Sequence, residues 1–309
     1  MEDERCNQPI DESKSVPVYW INLPKSKFRR SYFASQLDHM GYVNQRIQAT
    51  TRTDSVLVDS VINVEPKVQH TPFELSCVIS HLIAIYTAIY DRNPNNSANP
   101  YALITEDDVN FEMDVDLLTL AENAPPGFGT LQLITSNSAY ARQLWQSYKK
   151  KFVGDFMKSE SSFPHHNVWS VRRFNSPFWS TQAYLIDKKV VRTFIDKVVK
   201  YNNVTGKFSI TIENPSEKDF PCPTKRNCYL PYRIVSDLYI FSGCQPTFIT
   251  NIPIFNGASV GANSTIHTRK NNDASHAKSF FEIANLLIDV RKNEFLLPNY
   301  IRNKEFCSE

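Results

Sequence analysis

Tyr101-Ala-Leu-Ile-Thr-Glu-Asp-Asp-Val-Asn-Phe111 decides how the rest of the chain is read, because an apolar-leaning run passes straight into three consecutive carboxylates, Glu106, Asp107 and Asp108. A short apolar run bounded by turn-forming residues reads as a core strand of a parallel sheet, and ligands of such sheets sit at the carboxyl ends of strands. The acids stand at that end. Three adjacent carboxylates repel one another, and a hard cation, whose preferred ligands are carboxylate oxygens, is the simplest way to keep them together. A second reading puts them at a helix N-terminus, where acids complement the dipole. Asp114 and Asp116 suggest a helix starting just downstream. The motif alone leaves both readings open.

Upstream, Val16-Pro-Val-Tyr-Trp-Ile-Asn-Leu23 is rich in strand formers and closed by Pro24, so it reads as the founding strand of an α/β sheet. Lys25, Lys27, Arg29 and Arg30 follow, then Tyr32, Phe33, Leu37 and Met40 at helical spacing, with Gly41 placed as a C-cap. A basic loop after a first strand suits a diphosphate; four cations at a helix start also suit a solvated face. Val43 to Ala49 reads as a second strand, and residues 50–70 carry no assignable pattern. Thr71-Pro-Phe-Glu74 forms a capping box, which predicts a helix running through Tyr90. That helix is apolar nearly all round, so it should be deeply packed. Within it Glu74, Cys77 and His81 lie along one stripe, with Ser80 beside them. For a lone histidine, a satisfied core residue is the plainer explanation of His81.

Downstream, Asn93 to Pro100 is a turn-rich connection and Pro125-Pro-Gly127 ends a helix. Leu131 to Thr135 reads as a strand. Residues 140–180 are aromatic and basic, with Trp145, Trp169, Trp179, His165 and His166 in little regular pattern, and predict a functional loop or lid. Thr181 to Ile186 reads as a buried strand and Lys188 to Tyr201 as an amphipathic helix. Ile234 to Ile240 carries Ser236 as a cap, Thr247 to Ile254 is a further strand, and Asp273 to Arg291 is a C-terminal helix. The expected organisation is a mobile tail over 1–15, one main domain over 16–270 and a helical extension over 271–309.

The chain has 309 residues, of which 41% are hydrophobic, enough to bury a substantial core. No run of about 18 consecutive apolar residues is present, so neither a membrane span nor a secretory segment is expected, which favours the cytoplasm. Asn95, Asn203 and Asn263 begin sequons but weigh little against that. A net charge of +2 lends no support to a nucleic-acid surface. Six cysteines do not make a disulfide scaffold, and the close pair Cys222 and Cys228 is expected as free thiols rather than a staple. With 8 glycines and no Gly-rich turn, the triphosphate-gripping loop of a nucleotidyltransferase is missing.

Taken in order, several blocks resemble glycosyltransferase family 25. They are Ile21-Asn-Leu23 with Arg29-Arg30, Arg46-Ile-Gln-Ala49, Glu74-Leu-Ser-Cys77-Val-Ile-Ser80-His81, Ala102 to Phe111, and Thr181-Gln-Ala183-Tyr184. The family includes bacterial lipooligosaccharide β-galactosyltransferases and collagen hydroxylysine galactosyltransferases. The likeness spans roughly residues 16 to 265. It departs at Thr50-Thr51, where the family usually has Asp-Gly, and at Ser180, where a glycine is usual.

The resemblance implies a GT-A-type nucleotide-sugar-binding α/β fold with a mostly parallel central sheet flanked by helices. The implied reaction is metal-dependent, inverting transfer of a hexose, galactose or glucose, from a UDP-sugar to a hydroxyl of a glycan or glycoprotein. Mn²⁺ or Mg²⁺ would be the cofactor. Carried over residue by residue, Asn22, Leu23, Arg29, Ala49, His81, Glu106 and Asp107 belong to the donor site. Glu106 and Asp108, on one side of an extended chain, would reach the metal, with Asp107 facing the other way. Asp237 is the implied base, with Glu74 the next candidate; capping of a helix dipole is the competing role for Asp237. A catalytically inactive carbohydrate-binding or docking protein on the same fold is the alternative, and the intact acidic triplet argues against it.

Overall fold

A computed structural model describes residues 16–51, 62–64, 72–156, 168–171, 180–212, 236–257 and 270–303. In chain order these form β1 (Val18–Asn22), α1 (Lys27–His39), β2 (Asn44–Gln48), β3 (Ile62–Val64), α2 (Pro72–Ile89), α3 (Pro94–Ala98), β4 (Tyr101–Glu106), β5 (Val109–Phe111), β6 (Met113–Val115), α4 (Leu117–Glu122), β7 (Thr130–Gln132), α5 (Ser138–Phe156), β8 (Trp169–Val171), β9 (Ala183–Asp187), α6 (Lys188–Val198), β10 (Val199–Asn202), β11 (Lys207–Ile212), α7 (Ser236–Gly243), β12 (Thr247–Thr250), β13 (Phe255–Gly257), α8 (Lys270–Lys292) and β14 (Ile301–Asn303).

Seven strands make the central sheet in the order β2-β1-β4-β9-β7-β12-β8. β1 is parallel to both β2 and β4, and β7 to β12; β9 runs against both its neighbours, and β8 against β12. The sheet is therefore mixed rather than mostly parallel as the sequence suggested. A strand buried on both faces is an apolar run whichever way it points, so Ala183–Asp187 gave no sign of its direction. That direction matters for the site. Antiparallel pairing sets Thr105 opposite Ala183, and the Glu106 amide donates to the Gln182 carbonyl at 2.8 Å. The beginning of β9, not its end, thus lies beside the carboxyl end of β4.

Side chains alternate across a strand, and the central strands divide by that period. Val18, Trp20, Leu103, Ala183 and Leu185 enter one core with Phe33 and Leu37 of α1, Trp145 of α5 and Ile283 and Leu287 of α8. Tyr19, Ile21, Ala102, Ile104, Tyr184 and Ile186 enter the other, with Val78, Leu82 and Ile85 of α2, Ile195 of α6 and Ile240 of α7. The result is three layers, helices on both faces of the sheet. α2 is long and apolar enough by composition to cross a membrane, yet 61% of it is buried inside the protein's own interior.

Local signals hold where the chemistry is local. Gly41 adopts φ 64, and the amides of Gly41 and Tyr42 donate to the Asp38 and Leu37 carbonyls, closing α1 in a left-handed cap that suits glycine. Asp116 caps α4, accepting from the Thr119 amide at 3.0 Å. α2 begins at Pro72 as expected; its expected cap, Thr71, lies outside the described residues, as do Cys222, Cys228, His165, His166, Trp179 and the tail over 1–15. The loop expected over 140–180 is corrected in its first part, where α5 occupies Ser138–Phe156; residues 157–167 and 172–179 lie outside the described residues. Ala141, Trp145, Tyr148 and Phe152 are its buried stripe, and Trp145 Nε1 donates to Asp289 Oδ2 at 2.6 Å. Basic residues at 149–151 obscured that helical spacing.

Candidate active site

Where β1 and β4 end side by side, their last residues diverge to opposite sides. Glu106 continues the parity of Ala102 and Ile104 and so faces α2, where its Oε1 lies 3.3 Å from His81 Nε2. Thr181 Oγ1 donates to the same oxygen at 2.9 Å. The other ring nitrogen of His81 sits 3.0 Å from the Tyr184 hydroxyl, so the buried imidazole is held at both nitrogens. His81 is thus a fully satisfied histidine whose partner is a cleft carboxylate.

After Glu106 the chain turns toward α1. Asp107 turns to the Asn22 side, away from Glu106 as expected, in a turn that begins where β4 ends, and it still lines the cleft. Its Oδ2 accepts from Asn22 Nδ2 at 2.5 Å, and its Oδ1 lies 3.5 Å from Arg29 Nη1. Asp108 lies 3.7 Å from the same Arg29 nitrogen and accepts from Gln182 Nε2 at 3.1 Å. Asn22 is fixed on every side: it also donates to the Ser26 carbonyl and accepts from Arg46 Nε at 2.9 Å.

Asp107 and Asp108 share one guanidinium, which Glu106 feels only after His81 and Thr181, and the three proton affinities separate. Burial alone would raise the Glu106 carboxyl, but the hydrogen bond and electrostatic pull of His81, with Thr181 and Arg29, hold it below the ordinary value. Asp107 is raised, chiefly by burial, with Arg29 and Asn22 opposing. Asp108 is pushed up to about 7 by burial and by the neighbouring charges of Glu106 and Asp107, against the pull of Arg29. The cleft holds more negative charge than its own residues neutralise. All-oxygen donors with surplus charge fit a hard divalent cation.

These groups line a cleft of about 190 Å³ together with Leu23, Lys25, Ala49, Thr50, Cys77 and Ser80. Of the residues expected at the donor site, Leu23, Arg29, Ala49, His81, Glu106 and Asp107 line it, as does Asp108, and Asn22 lies directly beneath Asp107. Glu74 is not among the lining residues. Asp237, 4% exposed in the first turn of α7, sits close enough to Cys77 that its charge helps raise the thiol, behind burial and Glu106 as causes. Thr50 adds a feature that sequence reasoning missed. Its amide donates to Ser80 Oγ at 2.9 Å, but its own hydroxyl is buried without a partner at the cleft wall. Thr181, Gln182 and Tyr184, which orient Glu106, Asp108 and His81, were equally invisible as site residues, because only the antiparallel run of β9 brings them there.

A carboxylate-rich cleft at the carboxyl ends of adjacent parallel strands, beside the N-terminus of α1, is the usual place for a phosphate-bearing ligand in α/β proteins. Residues 15–210 match the model of glycosyltransferase family 25 (LPS biosynthesis protein), and the chain belongs to that family. Its members are glycosyltransferases, which act between a sugar donor and a glycan acceptor. No curated protein matches the sequence.

Proposed function

We propose that the chain is an inverting hexosyltransferase that moves galactose or glucose from a UDP-sugar to a hydroxyl of a glycan or glycoprotein, on a GT-A-type fold and with Mn²⁺ or Mg²⁺. The observation that carries the reading is the convergence of Glu106, Asp107 and Asp108 with Arg29 and Asn22 in one cleft. Glu106 and Asp108 would hold the metal, which supplies Lewis-acid neutralisation of charge developing on the diphosphate leaving group. Arg29, Lys25 and the N-terminus of α1 favour the donor's phosphates. Thr50, with a hydroxyl lacking a partner, is available to a polar group of the donor. Asn22 holds Asp107 and the turn before α1 in one arrangement, so the phosphate and metal sides are fixed relative to each other.

Inversion needs a base on the face opposite the leaving group, from a part of the chain remote from the metal-holding acids. Asp237 is our candidate: it is remote in sequence from the triplet, and although it does not line the cleft, its charge reaches Cys77, which does. Glu74, half-buried on α2 and likewise outside the cleft lining, is the next candidate. The test is a screen of UDP-hexoses with Mn²⁺, following UDP release and the anomeric configuration of the product. UDP-galactose or UDP-glucose should react and the product should be inverted. Asp237→Asn should lower turnover by roughly 10²–10⁴ with donor affinity nearly unchanged. Retained configuration, or near-parental turnover in that variant, contradicts the assignment of the base.

A further inference from the structure

The structure also places a second set of donors on the α2 side of the cleft. Cys77 Sγ, a ring nitrogen of His81 and a carboxylate oxygen of Glu106 all lie within 4.8 Å of one another, the group of this kind among the described residues. We propose that Cys77, His81 and Glu106 form a three-ligand site for a borderline divalent ion of the Zn²⁺ class, distinct in its donors from the all-oxygen pair of Glu106 and Asp108.

The geometry follows from the fold. Cys77 and His81 are four residues apart on α2, so both project from one helix face, and Glu106 meets them from the end of β4. Tetrahedral Zn²⁺, with bonds of about 2.0–2.3 Å, holds its donors roughly 3.3–3.8 Å apart. The 3.3 Å between His81 Nε2 and Glu106 Oε1 already meets that. The supporting contacts are those that metal ligands use. Ligation through Nε2 leaves the ring proton on Nδ1, where the Tyr184 oxygen lies 3.0 Å away to accept it, and Thr181 fixes the Glu106 oxygen at 2.9 Å. All three ligands line the cleft, so the fourth position opens to it. Mixed sulfur, nitrogen and oxygen donors select Zn²⁺ or Co²⁺ over Mg²⁺, which prefers oxygen alone. Burial keeps Cys77 a thiol, so binding forms the metal–sulfur bond and releases one proton to solvent. Glu106 is common to both donor sets, but ion binding here requires no sugar donor, so it can hold or fail independently of the transferase reading.

The experiment is optical titration of the reduced, metal-free, full-length chain with Co²⁺. We expect one equivalent to bind with thiolate-to-cobalt charge-transfer absorption, bleached by Zn²⁺ and untouched by excess Mg²⁺. Cys77→Ser should lose that absorption while Cys244→Ser keeps it. Tyr184→Phe, which removes only the hydroxyl behind His81, should keep the absorption and weaken Co²⁺ binding by roughly 10–100-fold. Absence of charge transfer in the parent, its persistence in Cys77→Ser, or unchanged Co²⁺ affinity in Tyr184→Phe would each overturn the assignment.

Discussion

Asp108 concentrates the electrostatic cost of the acidic cleft in a single side chain. With its carboxyl pushed up to about 7, the folded protein keeps a proton that the unfolded chain releases near pH 4. Across that window the folded state binds more protons, so stability falls as pH rises from about 4 to about 7. Asp108→Asn removes this penalty. Without ligands, the variant should be more stable than the parent at pH 8 by on the order of 1–2 kcal/mol, allowing for partial solvent screening, with the difference vanishing toward pH 4. Urea midpoints at the two pH values measure it, and an advantage larger at acid pH would contradict the electrostatic explanation. At this scale the sequence was informative where chemistry is contiguous. The triplet Glu106 to Asp108 and the cations after β1 could be read directly, since neighbours in the chain are neighbours in space. The partners that tune them could not: Asn22 is 85 positions from Asp107, and Thr181 is 75 from Glu106.

Among the elements, β9 and the residues leading into it decide how the site is supported. Ser180 adopts φ 131, a region that non-glycine residues rarely occupy. It is held there because its carbonyl accepts from Gln132 and its hydroxyl both accepts from the Gln182 amide and donates to the Gln182 side chain. Strain of that kind costs about 1–3 kcal/mol, part of which glycine would return to the unfolded chain as extra freedom. Ser180→Gly should therefore stabilise by about 1 kcal/mol, seen as a higher urea midpoint at unchanged slope; a lower midpoint would mean that the hydroxyl contacts outweigh the strain. Elements with strong local rules, such as the capped α1 and the apolar α2, were legible in the sequence. The direction of β9 was not, because apolar strands carry no arrow. The helical stripe of α5 was present as Ala141, Trp145, Tyr148 and Phe152, yet was masked by the basic residues between them.

Among the described residues, two cores and the acidic cleft follow from the period-two division of β1, β4 and β9. Each face is closed by helices distant in sequence, and α8 returns to the first face through Ile283, Leu286, Leu287 and Val290. Polar contacts tie it down: Lys149 Nζ lies 2.7 Å from Asp289, and Arg291 Nη2 2.8 Å from Glu112. The cleft sits where the sheet stops being apolar, so the three-layer body presents its acids at one edge. Such a site should gain most from a cation and an anionic ligand arriving together, each neutralising what the other brings. The thermal shift of the full chain with Mn²⁺, with UDP and with both is the direct measurement. At a hundredfold excess over the dissociation constant, linkage gives roughly 2.7 kcal/mol, or about 4 °C for a chain of this size. The shift should appear only with both ligands and disappear in Asp108→Ala; UDP stabilising that variant as well as the parent in the presence of Mn²⁺ would contradict a metal site at the acidic triplet.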